Sequence, residues 1–419
     1  MLRRGLITAV AVIALVMAGI LESNAGGRTA AAQNVVTIGA LLDLRGGWTS
    51  LGRASRVTLQ IATTDANARL AKSGSPMRVR LKIVDIHGDP NAAAPALRGL
   101  AAGGARIVVG PQASSEVRAV RSAVKSLGVA VISQGSTAHS LSIAGDNVFR
   151  FVADDVRESE AMVALMKRDG VDAVAPVWRE DTGNAGLVDS VRKRFNAGGG
   201  SVASGVRYGT STTDFSGALN QLRDQVNALR SAGASHPAVY LAAFDEVVGL
   251  FDAASGDPVL GSVPWYGSDG VALTPRLVAD AKAAAFAAAV GYPNPTLGLS
   301  DAVTRKAKKL VDRTRSKLGH EPDAFALTAY DALQVAVGAS ARAGTAPSAA
   351  RLRRAIAGVA DGYLGVTGKL TLNAAGDRSF GSFDFWSVCT TGGSASWKRT
   401  WSYVATAPGH GKIVARDHC

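Results

Sequence analysis

Short apolar runs rich in β-branched residues alternate along the chain with longer segments whose apolar residues recur at helical spacing. Val35–Leu42 is typical of a buried strand, and Leu51–Ala68 has the pattern of an amphipathic helix. The next strand, Val79–Asp85, leads to Asp89 and Pro90, an N-cap residue followed by proline at the first helical position. Because the strands are apolar without alternation, this order predicts parallel sheets covered by helices on both faces.

The alternation forms two series, which are separated near Asn147–Asp155. The first series includes a strand at Val129–Ser133, and the second closes with a strand at Val263–Gly267. We therefore predict an α/β protein with two doubly wound parallel-sheet lobes. Ligands of open α/β sheets bind beyond the carboxyl ends of the strands, and candidate site residues are expected there.

The first residues are typical of a secretory signal peptide. Two arginines precede an almost entirely apolar run, Gly5–Leu21, and small residues follow it. We predict a signal peptide over residues 1–32, cleaved after Ala25 or Ala32, and a mature protein that is soluble and periplasmic. A retained membrane anchor is the alternative, but the run is shorter than the ~20 apolar residues that span a bilayer comfortably.

Composition excludes several classes of protein. The chain has 419 residues, of which 47% are hydrophobic and 19% charged, so it is globular and too long for one small core. Two cysteines can build neither a disulfide scaffold nor a zinc cluster. In an exported protein we expect the pair, Cys389 and Cys419, to form a disulfide.

The net charge of +13 suggests at first a nucleic-acid partner. Cleavage after Ala25 would remove two arginines and one glutamate, so most of the excess belongs to the mature protein. Its basic residues are spread over predicted helix faces, for example Arg192–Arg194 and Arg351–Arg354, which is typical of solvated surface. We therefore expect no nucleic-acid partner.

The sequence lacks the usual patterns of an enzyme. Its six histidines are scattered without metal-ligand spacing, and it contains neither a GxxxxGK[ST] phosphate loop nor a GxSxG nucleophile elbow. We therefore expect no catalytic activity, no cofactor and no metal.

Four predicted strand ends carry side chains that could bind a ligand. Gly110–Ser115 leads into a helix whose first N–H groups could hold a carboxylate together with the Ser114 hydroxyl; alternatively, a serine of this loop only caps the helix. Ser133–Thr137 follows the next strand and has the same two interpretations. Phe244 could form an aromatic wall or belong to the core, and Asp269 could pair with an ammonium group or make a turn hydrogen bond.

A set of short motifs extends in order over nearly the whole mature chain. The motifs are Ile38–Leu42, Gly88–Pro90, Val109–Pro111, Val131–Ser133, Asn147–Arg150, Thr212–Ser216, Tyr330–Ala332, Gly365–Gly368 and Asn373–Arg378. In this order they resemble the exported solute-binding proteins of branched-chain amino-acid ABC transporters, the type I periplasmic binding proteins.

The resemblance implies two α/β lobes joined by three crossovers, with the ligand captured in the cleft as the lobes close. Lobe one would hold residues 36–150 plus 288–366, and lobe two residues 151–287 plus 367–419. The resemblance also implies a strand near the end of Ala281–Tyr292, where propensity alone predicts helix throughout.

The resemblance assigns roles to several of the candidate residues. Ser114, Gly135 and Thr137 would bind the ligand carboxylate, and Asp269 would pair with the ligand ammonium. The full set of predicted ligand-binding residues is Trp48, Ser114, Gly135, Ser136, Thr137, Thr182, Phe244 and Asp269.

The resemblance is weaker at the positions where the family carries aromatic residues. Phe244 lies close to the position of the aromatic residue that the family carries in the second lobe. Trp48 could supply an aromatic residue from the first lobe. Thr182 stands where amino-acid binders typically carry an aromatic residue, which leaves the class of the ligand side chain open.

By resemblance, the protein is expected to be the substrate-binding protein of an ABC importer, taking up an amino acid or a related small carboxylate or amide. A monomer is expected, with a permease of the inner membrane as its partner. A ligand-sensing module of a signalling system with the same fold is the alternative, and a small-amide hydrolase is a less favoured one.

Overall fold

The computed structural model describes residues 34–299, 301–379 and 381–419, so the predicted signal peptide lies outside the described residues. Two parallel sheets form the centres of two lobes, which confirms the predicted α/β class. Within the described part of the chain, no helix is long and apolar enough to cross a membrane.

The sheet of lobe one has six parallel strands. They are β1 (Asn34–Leu42), β2 (Met77–Asp85), β3 (Ile107–Val109), β4 (Ala130–Ser133), β5 (Val148–Ala153) and β14 (Asp377–Arg378). Their order across the sheet is β14-β5-β4-β3-β1-β2. Ile107 and Val108 point to opposite faces of β3 and are both fully buried, because helices cover both faces.

Six helices pack around this sheet. They are α1 (Thr49–Lys72), α2 (Pro90–Ala102), α3 (Ser114–Leu127), α10 (Asp301–Leu318), α11 (Ala324–Ala343) and α12 (Ala349–Asp361). Helices α2 and α3 supply the core on one face, and α1, α11 and α12 supply it on the other. Helix α2 begins as predicted, since the Asp89 carboxylate accepts a hydrogen bond from the backbone N–H of Asn91 at 2.8 Å.

Lobe two contains the second parallel sheet. Its strands are β6 (Ala173–Arg179), β7 (Ser201–Val202), β8 (Val206–Tyr208), β9 (Pro237–Ala242) and β10 (Trp265–Tyr266). Its helices are α4 (Asp155–Arg168), α5 (Thr182–Ala197), α6 (Ser216–Ser231), α7 (Val247–Ala254), α8 (Pro275–Ala279) and α9 (Ala281–Ala289). Strand β10 is shorter than the predicted Val263–Gly267, and β6 lies at the centre, paired with β7, β8 and β9.

An antiparallel sheet formed mainly by the C-terminal segment packs on lobe two and was not predicted. Its strands are β11 (Asn294–Leu297), β15 (Phe383–Thr391), β16 (Ser394–Ala407) and β17 (His410–Ala415). Phe385 enters the core of lobe two, and the Trp397 indole donates a hydrogen bond to the Thr274 carbonyl at 2.9 Å. The predicted disulfide between Cys389 and Cys419 is confirmed.

Propensity and resemblance are each partly right at Ala281–Tyr292. Helix α9 covers Ala281–Ala289, as propensity predicts, and the strand suggested by the resemblance begins just beyond this segment, at Asn294. This strand, β11, pairs with β15 of the C-terminal sheet.

The chain passes between the lobes at three places, between β5 and α4, between β11 and α10, and between β14 and β15. Strand β14 pairs with β5 in the sheet of lobe one, although the sequence analysis assigned residues 367–419 to lobe two. Strand β11 lies on lobe two, although residues 288–366 were assigned to lobe one. Both differences arise from strand pairing between segments that are remote in sequence.

A buried ion pair fastens β14 to β5. The Arg150 guanidinium donates from Nε and Nη2 to the two Asp377 carboxylate oxygens, each at 2.7 Å, and from Nη1 to the Ala138 carbonyl at 2.6 Å. The two side chains are 1% and 2% exposed. This pair holds the end of β5, from which the chain crosses into lobe two.

A second buried carboxylate explains two of the sequence motifs, one of which forms the short hairpin of β12 (Leu364–Gly365) and β13 (Gly368–Lys369). Asp331 on α11 accepts hydrogen bonds from the backbone N–H groups of Val366 and Thr367 and from the Thr367 hydroxyl. Any side chain at Gly365 would collide with this carboxylate, since a Cβ would lie 2.3 Å from Oδ2. The motifs around Asp331 and Gly365 are therefore structural.

We expect Arg150→Ala to lower the free energy of unfolding by about 3–5 kcal/mol, because it leaves the Asp377 carboxylate buried without its cation. Urea denaturation measures this loss. Arg121→Ala is the matched control, since Arg121 pairs with Asp146 at 3.2 Å but is 30% exposed, and should cost about 1 kcal/mol or less. Equal losses for the two variants would contradict this interpretation of the Arg150–Asp377 pair.

Candidate functional site

An aromatic stack closes the cleft between the lobes. Trp48, in the loop after β1, lies parallel to Phe244, which follows β9, with ring centroids 4.2 Å apart and an interplanar angle of 9°. Phe325, at the start of α11, meets Trp48 edge-on with centroids 5.7 Å apart. Sequence reasoning had proposed Trp48 and Phe244 but missed Phe325, whose one local signal is its position just after the helix N-cap Asp323.

Polar contacts also join the lobes beside the stack. The backbone N–H of Asp245 in lobe two donates to the Gly47 carbonyl at 3.2 Å, and its carboxylate accepts from the Ser50 N–H at 3.0 Å. The Thr274 hydroxyl donates to the other Asp245 oxygen at 3.1 Å. Asp245 therefore fastens lobe two to the N-terminus of α1 in lobe one.

The serines predicted to bind a carboxylate bond to one another and to the backbone. Ser114 Oγ lies 3.0 Å from Ser136 Oγ and accepts from the Ala138 N–H at 3.2 Å. Ser133 Oγ donates to the Pro111 carbonyl at 2.6 Å and accepts from the Ser136 N–H at 3.0 Å. These bonds bring the two predicted loops together, and the Ser114 hydroxyl is engaged within the protein in this closed form.

Gly135 and Thr182 lie on either side of this serine network. A Cβ at Gly135 would be 3.0 Å from the Gln112 carbonyl oxygen and 3.4 Å from the Trp48 ring, so the loop passes close to the aromatic stack. Thr182 opens α5, where the Asp181 carboxylate accepts from the N–H groups of Gly183 and Asn184 at 2.9 and 3.0 Å.

Three buried carboxyl groups meet in lobe two, and one of them belongs to Asp269, the predicted partner of the ligand ammonium. Asp155 and Glu158 lie on the first turn of α4, and the Asp269 backbone N–H donates to Glu158 at 3.2 Å. Burial raises the pKa of Asp155 to about 8 and that of Asp269 to about 6. Burial and the Asp269 charge raise the pKa of Glu158 well above its usual range. The sequence had pointed to Asp269 alone.

Two spaces adjoin the aromatic stack. A cavity of ≈ 240 Å³ lies between the lobes, bordered by Trp48 and Phe244, by Ser115 of α3 and by Thr182 of α5. A much smaller space, ≈ 10 Å³, separates Trp48 from Asp269. The eighth predicted residue, Thr137, accepts at its carbonyl from the Asp155 N–H of lobe two at 3.0 Å. All eight predicted residues therefore lie along one interlobe seam, although they do not line one cavity. In the described residues, no group of three or more His, Cys, Asp or Glu side chains is arranged to hold a metal ion.

This architecture is that of a two-lobed binding protein, and comparison with known proteins identifies its family. Residues 35–382 match the family model described as periplasmic binding protein. The chain belongs to this family, in the type I, branched-chain amino-acid group, which confirms the resemblance found in the sequence. It is 26% identical to a Leu/Ile/Val-binding protein homologue of Brucella melitensis, over 85% of this chain and 92% of that protein.

Solved structures show the same fold. A leucine-binding protein of Thermotoga maritima superposes with a TM-score of 0.70 at 22% identity, covering 87% of this chain and 97% of that one. A solute-binding protein of an ABC transporter from R. palustris, in complex with benzoate, superposes with a TM-score of 0.70 at 18% identity, covering 92% and 98%. The relatives are solute-binding proteins, and those crystallised with ligands include complexes with amino acids and with benzoates.

We expect Trp48→Ala to shift the protein toward an open form, because it removes an aromatic pair that contributes about 0.5–1.5 kcal/mol beyond the area it buries. Small-angle X-ray scattering should show a larger radius of gyration than for the wild type. Phe215→Ala is the control, since Phe215 pairs with Tyr208 within lobe two and its loss should leave the lobe arrangement unchanged. An unchanged radius for Trp48→Ala would contradict a closing role.

We expect the ligand-free protein to lose stability as the pH rises from about 4 to about 8, with Asp155 as one cause. With a pKa of about 8, against an ordinary value of 3.8, this carboxyl holds a proton that the unfolded chain has already released. Urea denaturation at pH 5 and pH 8 should show a smaller loss for Asp155→Asn than for the wild type. The exposed Asp189→Asn should follow the wild type, and identical slopes for all three proteins would contradict this role.

Proposed function

We propose that this protein is the exported substrate-binding protein of an ABC importer, which captures an amino acid or a related small carboxylate or amide between its lobes. The observation that carries the proposal is the interlobe cavity, which is bordered by Trp48 and Phe244 from opposite lobes. A ligand in such a cavity touches residues of both lobes. Its contacts to both lobes then favour the closed form, which a permease can distinguish from the open one.

The lining of the cavity supports a ligand with a carboxylate. The N-termini of α3 and α5 reach it at Ser115 and Thr182, and the first N–H groups of a helix favour negative charge. Arg118 lines its exposed rim, and Arg179 lines the facing wall, where it is paired with Asp181 and Glu246. The named ligands of several relatives, leucine, isoleucine and benzoate, all carry a carboxylate.

We further propose that Ser114, Gly135, Ser136 and Thr137 form the polar wall of the site, and that Asp269 pairs with a ligand ammonium. The wall is supported by the serine contacts, which join the two loops, and by the Asp155 N–H of lobe two, which donates to the Thr137 carbonyl at 3.0 Å. Asp269 is supported by its position beside Trp48 and among carboxyl groups that have no cationic partner in the described residues. For a benzoate-like ligand, which has no ammonium group, Asp269 would have no partner.

A thermal-shift panel tests the proposed function. Leucine, isoleucine, arginine and benzoate are added separately to the purified protein, and a ligand that binds the native state raises Tm with its concentration. Binding of none of them, nor of related small carboxylates and amides, would contradict the proposal.

We expect Asp269→Asn to weaken the binding of amino acids by about 2 kcal/mol or more, because a buried ammonium loses its charged partner. Isothermal titration calorimetry measures the affinity. The variant should leave benzoate binding unchanged, and Asp189→Asn on the surface of α5 should leave both unchanged. Unaltered amino-acid affinity in Asp269→Asn would remove this residue from the site.

A further inference from the structure

A pair of buried carboxyl groups in lobe one faces the interlobe cavity, and none of the roles described so far involves it. Asp43 follows β1, and Glu116 lies in the first turn of α3, after β3. Strands β1 and β3 are neighbours in the sheet, so their carboxyl ends bring the two side chains together. Asp43 is 1% exposed and Glu116 is fully buried, yet both line the ≈ 240 Å³ cavity.

The hydrogen bonds of the pair leave one of its carboxylate oxygens without a donor. Asp43 Oδ1 accepts from the Gly88 N–H at 2.7 Å, and Glu116 Oε2 accepts from the Ala113 N–H at 3.0 Å. Glu116 Oε1 accepts no hydrogen bond from a donor group of the described residues and lies next to the Asp43 carboxyl. Two carboxylates in contact repel each other, so a proton or another cation must lie between them.

The charges around the pair do not supply that cation. Among the described residues, no salt bridge reaches Asp43 or Glu116. Asp85 and His87, at the end of β2, pair with each other, and Arg45 also bonds to Asp85.

On the facing side of the cavity, the charged groups of lobe two are also engaged. Arg179 lies 3.1 Å from Asp181 and 3.6 Å from Glu246, and Glu180 pairs with Arg207 at 3.1 Å. Arg118 stands exposed at the rim. The pair is therefore the part of the cavity wall whose negative charge is uncompensated.

Protonation of the pair in the closed form agrees with this geometry. Burial raises the pKa of Asp43 to about 6, and burial together with the Asp43 charge raises the pKa of Glu116 well above its usual range. Closing the cleft around an uncharged ligand therefore leaves at least one proton on the pair at neutral pH.

We propose that the Asp43–Glu116 pair binds a positively charged ligand side chain, which makes the ligand a basic amino acid such as arginine or lysine. The inference rests on the proposed function and specifies its substrate class: the α-ammonium goes to Asp269 and the second cation to this pair. On binding, the cation takes the place of the shared proton, which is released to the solvent. Trp48 and Phe244 border the same cavity and give it an apolar wall for the alkyl part of such a side chain.

Calorimetry with L-arginine and L-citrulline tests the inference, since these amino acids have the same shape and differ in side-chain charge. The wild type should bind arginine at least tenfold more tightly. Titrations in two buffers of different ionisation enthalpy should show proton release with arginine and none with citrulline.

Glu116→Gln should abolish both the preference and the proton release, with a larger loss of affinity for arginine than for citrulline. The fold should be kept, because the amide oxygen can still accept from the Ala113 N–H. Asp43→Asn should act in the same direction. Asp361→Asn, at an exposed carboxylate at the end of α12, should behave as the wild type.

Three outcomes would overturn the inference. The first is equal affinity for arginine and citrulline in the wild type. The second is an equal loss of both affinities in Glu116→Gln, which indicates a structural role only. The third is binding of leucine or benzoate without any binding of arginine, which leaves the proposed function standing. Binding of no small carboxylate or amide at all would instead remove the proposed function, and the inference with it.

Discussion

The removal of water from carboxyl groups at the interlobe seam is the constraint on which the rest of the site depends. Along this seam, Asp43, Glu116, Asp155 and Glu158 are fully or almost fully buried. A buried carboxylate without a partner is costly, so each group must be hydrogen-bonded, paired or protonated. The closed form is therefore sensitive to what the cleft contains, since a cationic ligand compensates charge that a neutral ligand leaves to protons.

Asp245 and Asp377 show which partners a buried carboxylate has in this protein when its role is structural. Asp377 is paired bidentately with Arg150, and Asp245 accepts from a backbone N–H and a hydroxyl. Both serve the architecture, one by fastening β14 to β5 and the other by joining the lobes. Asp43 and Glu116 line the interlobe cavity without a salt-bridge partner in the described residues, and Glu116 Oε1 accepts no hydrogen bond there. That distinction separates candidate ligand contacts from structural ones.

The sequence predicted the fold well because its signals are local. Apolar runs, helical periodicity and the Asp89 cap identify strands and helices from neighbouring residues alone, and the sheets follow from their alternation. Propensity likewise identified helix α9. The pairing of β11 with β15 and the position of β14 were missed because they join strands about 90 and 230 residues apart. The hairpins of β15, β16 and β17 are local, and the turn at Gly392–Gly393 is a signal that the sequence analysis did not use. No local pattern encodes which of two lobes a short strand such as Asp377–Arg378 will join.

The candidate site was predicted unevenly for the same reason. Trp48, Ser114, Phe244 and Asp269 all follow strand ends or open helices, where the ligand rule for α/β sheets applies, and the structure brings them to one seam. Asp43 also follows a strand directly, but a single aspartate there is commonplace. What gives it meaning is contact with Glu116, 73 residues later in the chain.

The Trp48–Phe244 stack limits how a ligand can shift the equilibrium between the open and closed forms. The lobes touch through aromatic and polar contacts, so the closed form has favourable contacts of its own. A ligand shifts the equilibrium only by the difference between its affinities for the closed and open forms. Contacts to one lobe alone therefore cannot drive closure. An amino acid that binds Asp43 and Glu116 in lobe one and Asp269 in lobe two meets this requirement. Its two cations are held by opposite lobes, so the two contacts can form together only when the cleft is shut.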